Sequence, residues 1–175
     1  MRRLTASGLS RAEACIGSVV LPGIDESGDY AATGQAVDDF VRVAKTKSKA
    51  VALKEAPEPL RAYLDALTLE RIPDGAEYQV AFAYNVLTGE VRRVPGRGEG
   101  YPTDLGPEWI FGTADLVGVR DGRAIVVDIK WGAYTIGRDP ADDLQLGFYA
   151  VCAAKVAGVT EAEVGFSRAG WDGKM

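Results

Sequence analysis

The chain has 175 residues, 47% hydrophobic and 26% charged, with a formal net charge of −5 and no histidine. That length suits one domain, read over residues 1–175, and that composition excludes the disordered and fibrous classes. Without histidine, Ser-His-Asp and Cys-His catalysis and the HExxH metalloproteases are excluded as well, so any chemistry must run on Asp, Glu, Lys, Tyr and backbone groups.

Two cysteines, Cys15 and Cys152, are too few for a disulfide framework or a four-cysteine metal site, and both read as reduced, mostly buried thiols. No apolar run approaches the roughly 18 residues that span a bilayer, and the start MRRLTASGLSR lacks the apolar core of a secretory signal. The expected location is therefore the cytoplasm, with no membrane partner. The acidic total argues against a general basic coat for nucleic acid. It leaves room for a local one, because Arg and Lys gather in Arg42 to Lys54 and Arg92 to Arg97.

In chain order, Ser7 to Ala14 predicts a short helix, with Ser10 and Glu13 at the spacing of a capping box. Tyr30 to Ala44 carries Ala36, Val37, Phe40, Val41 and Ala44 at helical spacing, which marks an amphipathic helix. Lys45 to Lys54 reads as a basic link, and Pro57 and Pro59 open a further helix through Leu67. From Glu77 the pattern turns to strands: Glu77 to Val86, a turn at Leu87-Thr88-Gly89, then Glu90 to Val94. Pro95 to Pro107 is polar and rich in Gly and Pro, a flexible loop near a cleft. After the hairpin of Gly112 to Gly132, Ala141 to Gly158 reads as a buried helix and Ala162 to Ser167 as a last strand. Helices, a strand meander, then a helix and a strand predict an α/β or α+β fold with a central mixed sheet flanked by helices.

The hairpin is the most informative segment. Asp121-Gly122 favours the positive φ angles of a two-residue type I′ turn between two apolar runs. With Arg120 opposite Arg123, Val117 faces Val126, Asp115 faces Asp128 and Thr113 faces Lys130, all on one face. The other face carries Leu116, Ile125, Val127 and Ile129, so both faces are largely apolar and the hairpin is expected to be covered on both sides.

Asp128-Ile129-Lys130 alone reads as an ion pair at a strand end. Asp115 opposite changes that balance, since one lysine would have to neutralise two facing carboxylates. A hard divalent ion fits better: Mg²⁺ is bound through one or two carboxylates plus water and substrate phosphates. Asp115, Asp128 and the backbone carbonyl of Ile129 supply such a set, leaving Lys130 to stabilise a forming hydroxide or the charge that develops on a phosphoryl group. Glu77 is either a third metal-facing carboxylate or a solvated strand end. Gln145 and Tyr149 share one helix face; taken alone they read as the edge of the core. Asp38 and Asp39, taken alone, read as a solvated helix face.

Together these residues resemble the PD-(D/E)XK nuclease superfamily, in particular its RecB-like branch of CRISPR-associated and phage exonucleases. The pattern G-x-x-D, D-x-K, Q-x-x-x-Y occurs in order as Gly112 to Asp115, Asp128 to Lys130 and Gln145 to Tyr149. SRAEACIGSVVLP followed by YAATGQAVDDF is similar to the N-terminal part of the same branch, with Asp38 where that branch carries a metal-binding histidine. The resemblance implies a restriction-endonuclease-like fold and a metal-dependent DNA nuclease, an exonuclease using Mg²⁺ or Mn²⁺. It also implies Asp38 as a substitute ligand, Gln145 and Tyr149 as residues that position the DNA strand or Lys130, and a helicase or a recombination or CRISPR component as partner. Iron–sulfur members of the branch use four cysteines. Cys15 matches the first and the other three positions are lacking, so no cluster is expected.

Two other readings compete. One is a nuclease-fold module without turnover that binds nucleic acid or a partner protein. The other makes Asp115 and Asp128 purely structural, with one carboxyl kept protonated by burial and by its neighbour.

Overall fold

The computed structural model describes residues 4–14, 29–67, 69, 72–96, 100–131 and 139–169. Five strands form one sheet: β1 (Glu77–Asn85), β2 (Val91–Arg93), β3 (Trp109–Arg120), β4 (Arg123–Trp131) and β5 (Ala162–Ala169). Their spatial order is β2-β1-β3-β4-β5. The first four are antiparallel neighbours, whereas β5 runs parallel to β4. A parallel pair needs a long crossover, and helix α5 (Leu144–Ala157) supplies it.

The central hairpin forms as its turn dictates. Asp121 and Gly122 both take positive φ, 52° and 74°, and the register pairs Arg120 with Arg123 and Val117 with Val126. The two facing arginines are each offset by a glutamate: Arg123 lies 2.7 Å from Glu161 and Arg120 3.5 Å from Glu163.

Helices cover both faces, as continuous apolar strands require. On one face, Val37, Phe40 and Val41 of α2 (Asp29–Thr46) pack with Ala52 of α3 (Lys49–Glu55) and Leu64 of α4 (Arg61–Asp65) over Leu116, Ile125 and Val127. On the other, Leu146, Tyr149, Cys152 and Ala153 of α5 cover Val80, Phe82, Ala114, Ala124 and Val126, joined by Ala6 from the N-terminal segment that includes α1 (Leu9–Ala14). A third cluster seats part of the Gly- and Pro-rich loop, with Tyr101 and Leu105 against Ala83, Trp109 and Phe111. This is the mixed sheet flanked by helices that the sequence predicts.

Several local readings need correction. The expected basic link is mostly helix α3: Ser48 caps it by accepting from the Val51 amide at 3.2 Å, and Ala52 faces the core while the lysines stay on the outer side. After Pro57, a 3-10 turn at Glu58–Leu60 precedes α4, whose five residues end at Asp65, short of Leu67. Ser10 lies inside α1 behind a 3-10 turn at Ala6–Gly8, so Ser10 and Glu13 do not form a capping box. Helix α5 starts at Leu144 and not at Ala141, because Asp143 takes the cap by accepting from the Leu146 amide at 3.0 Å.

The basic segments carry little free charge: Arg42 pairs with Asp39, Lys45 with Asp74, Lys47 with Glu55, Lys49 with Asp65, Arg92 with Glu90 and Arg93 with Glu77. Cys152 is fully buried, and burial pushes its thiol up to about 12. Cys15, Arg97 and the segment Gly170 to Met175 lie outside the described residues. Among the described residues, no helix is long and apolar enough to cross a membrane.

Candidate functional site

The β3–β4 ladder stops at Leu116 opposite Val127. One step further, where Asp115 and Asp128 would be a regular pair, the strands fork. The Ile129 amide donates to Asp115 Oδ2 at 2.7 Å, so a carboxylate occupies the place of a strand carbonyl. The second corner of the fork is in β1. Gln79 takes φ of 53°, a left-handed conformation uncommon outside glycine, and its Nε2 donates to Asp115 Oδ1 at 3.3 Å. Gln79 and Asp115 are also the residues at which β1 and β3 skip a ladder pair. Side-chain alternation slips there, since Tyr78 and Leu116 join the α2 cluster while Val80 and Ala114 join the α5 cluster. Asp115 and Asp128 thus meet through a splay, and neither they nor Thr113 and Lys130 pair in the uninterrupted register that the turn alone predicts.

Asp128 is 5% exposed and forms an ion pair with Lys130 Nζ at 2.7 Å. Burial is the largest influence on both aspartates and pushes both carboxyls well above the ordinary carboxylate range. The Asp115 charge adds to the rise at Asp128, and Lys130 opposes it at both. At Lys130, burial works against the charged form, but Asp128, Asp115 and Asp143 outweigh it and keep the ammonium protonated.

Helix α5 closes the site. Gln145 Nε2 donates to the Tyr149 hydroxyl at 3.1 Å, and Tyr149 is 2% exposed, its phenol kept neutral by burial with Asp115 and Asp128 adding to the effect. The first residue of the G-x-x-D pattern explains this approach. A β-carbon at Gly112 would lie 2.6 Å from both the Tyr149 ring and the Ala6 β-carbon, so only glycine lets that ring lie against β3.

Asp38, half-buried on α2, faces the same region. Burial raises its carboxyl, the Tyr78 hydroxyl lowers it, and Asp39 and Asp128 add to the rise. The Tyr78 hydroxyl is itself buried with no partner at full hydrogen-bond geometry among the described residues. Glu77 goes elsewhere: Arg93 grips its exposed carboxylate at 3.0 and 2.5 Å, and that bond holds its pKa below the usual value. The structure therefore removes Glu77 from the cluster and leaves Asp38 beside it.

Three further neighbours of the site carry no role in the sequence reading. Asp143, the cap of α5, puts a negative charge near Asp128 and Lys130. Its signal was present, an aspartate directly before an apolar helix. Gln79 carries no such signal, and Tyr101 lies in a segment read only as a loop near a cleft; Thr113, placed on this face by the turn register, hydrogen-bonds with Tyr101 at 3.0 Å.

When all are ionised, two carboxylates and one ammonium leave an excess negative charge in a largely buried fork. That imbalance, with hard oxygen donors in place, fits a divalent cation. Among the described residues no group of three His, Cys, Asp or Glu stands ready to hold a metal. The fit is thus to an ion held by two carboxylates and completed by water and substrate oxygens, the habit of Mg²⁺.

A helix-covered mixed sheet whose central hairpin forks around an acidic pair is the restriction-endonuclease-like arrangement. A family model for the PD-(D/E)XK nuclease superfamily matches residues 21–172. The chain belongs to this superfamily. Comparison with curated proteins and with solved structures gave no match.

Proposed function

We propose that the protein is a metal-dependent deoxyribonuclease that hydrolyses phosphodiester bonds, acting as an exonuclease on single-stranded or duplex ends. The observation that carries this reading is the fork of half-buried Asp115 and buried Asp128, with Lys130 at 2.7 Å from Asp128. Asp115 and Asp128 would hold Mg²⁺ or Mn²⁺, with the Ile129 carbonyl and Asp38 as further oxygen donors. Such an ion supplies Lewis-acid polarisation of the phosphate and a water of lowered pKa. Gln79 and the Ile129 amide hold the Asp115 carboxylate in one orientation through its two oxygens. Lys130 keeps its proton and places a positive charge where the phosphoryl oxygens become more negative. Tyr149 accepts from Gln145, which leaves its own O–H to donate to the strand.

Purified protein with Mg²⁺ or Mn²⁺ is expected to degrade a labelled DNA strand, and Asp128→Ala to stop this with unchanged circular dichroism. Equal activity in the variant would overturn the assignment. RNA offered in parallel reads the sugar preference, and covalently closed circular DNA, which has no ends, separates exo from endo cleavage.

A second reading, a module that binds nucleic acid or a partner protein without turnover, draws on Asp38 at the branch's histidine position. Calorimetric titration with Mn²⁺ separates the two, since a module without turnover is expected to bind no ion at the Asp115/Asp128 pair.

A further inference from the structure

The fork is rich in acceptors and poor in donors. Once ionised, its carboxylates only accept, and Lys130 keeps one bond on Asp128. A phosphodiester approaching such a site needs neutral donors that do not repel it, and the third apolar cluster brings one. Tyr101 packs its ring on Phe111, centroids 5.2 Å apart and tilted by 30°, and its hydroxyl lies 3.0 Å from Thr113 Oγ1. Thr113 stands two residues before Asp115 on β3. The Tyr101 hydroxyl is also close enough to Tyr149 to influence its ionisation. Two hydroxyls joined by one hydrogen bond hold two protons and use one, so one O–H is left to donate, two residues along β3 from Asp115.

We propose that Tyr101 and Thr113 form a phosphate-positioning hydroxyl pair, donating a hydrogen bond to a non-bridging phosphate oxygen of the nucleic-acid strand lying next to Asp115 and Asp128. This rests on the nuclease reading for its ligand. Anchoring from Tyr101 comes from the loop, independently of Tyr149 on α5, so the strand is held from two sides of the fork. Both donors are uncharged and add nothing to the charge that opposes the metal.

The test uses the full chain and a fluorescein-labelled single-stranded DNA oligonucleotide. Tyr101→Phe keeps the ring on Phe111 and removes the hydroxyl; Thr113→Val keeps the shape of its side chain. Each is expected to weaken binding, read by fluorescence anisotropy, by roughly tenfold, the effect of one hydrogen bond to a charged group at its lower end. KM should rise by a similar factor with a much smaller change in kcat. Thr113→Ser, which restores a hydroxyl, is expected to bind as the parent does. Parental binding and KM in Tyr101→Phe would overturn the proposal, as would an equal loss in Thr113→Ser and Thr113→Val, since that assigns the effect to packing. If the parent binds the oligonucleotide but cleaves nothing with either metal, the nuclease reading fails, and the anisotropy comparison still decides the hydroxyl pair.

Discussion

Gln79, the third residue of β1, takes φ of 53°, and residues held in sparsely populated backbone regions cost of order 1–3 kcal/mol. Its return is the bond from Nε2 to Asp115. Gln79→Gly is therefore expected to leave unfolding free energy unchanged or raise it by about 1 kcal/mol, while cleavage falls because Asp115 loses a donor that fixes its carboxylate. Denaturant melts and initial rates on one preparation check both halves. Lys130 poses the opposite question, charge against packing. Lys130→Met keeps much of the stem's volume and is expected to lower kcat by roughly 10²–10³-fold while Mn²⁺ binding persists, read by calorimetry. A lysine that served only to neutralise Asp128 would give little change in rate and tighter metal binding.

At the scale of elements, the hairpin and α5 define the site jointly. The hairpin brings the acidic pair; the helix brings Gln145 and Tyr149, and Gly112 is the point at which the two touch. Gly112→Ala forces an overlap that something must relieve, and overpacking typically costs about 1–3 kcal/mol. The expected outcome is a lower melting temperature together with lost activity, since the Tyr149 ring has to move off β3. Removing the cap of α5 by Asp143→Ala is expected to cost about 1 kcal/mol in chemical denaturation. It also takes away a negative charge that favours the Lys130 ammonium.

For the whole molecule, the acidic fork makes stability depend on pH. Burial raises both aspartates, Asp128 to about 7. A carboxyl raised on folding contributes stability fully below its unfolded value of about 3.9. That contribution is lost as pH climbs through the folded value. The metal-free protein is thus expected to melt at progressively lower temperature as pH rises from about 4 through neutrality, and saturating Mn²⁺ to flatten the decline by favouring the ionised pair. Scanning calorimetry across that range reads it directly.

Much of the architecture was legible because its signals are local. Asp121-Gly122 sets the turn, the turn sets the register, and the helical spacing of Val37, Phe40 and Val41 marks the face that covers it. Helix α3 was hidden because its lysines outweigh a short apolar side, and Ser48 is its clearest signal. The fork was not legible. Strand alternation continues Asp115 onto Asp128 as a flat pair, and nothing in the residue type of Gln79 announces a left-handed backbone. Glu77 illustrates the same limit, since Arg93, 16 residues away in sequence, decides where it goes.

The Ile129 amide, bound to a carboxylate instead of a strand carbonyl, has a consequence for observing the protein at work. A backbone N–H donating to an ionisable oxygen senses that oxygen's charge. In a ¹⁵N-labelled sample the Ile129 cross-peak is expected to shift as Asp115 gains a proton or a metal ion, while neighbouring sheet amides stay still. One resonance would then serve as a built-in indicator of the occupancy of the fork during turnover.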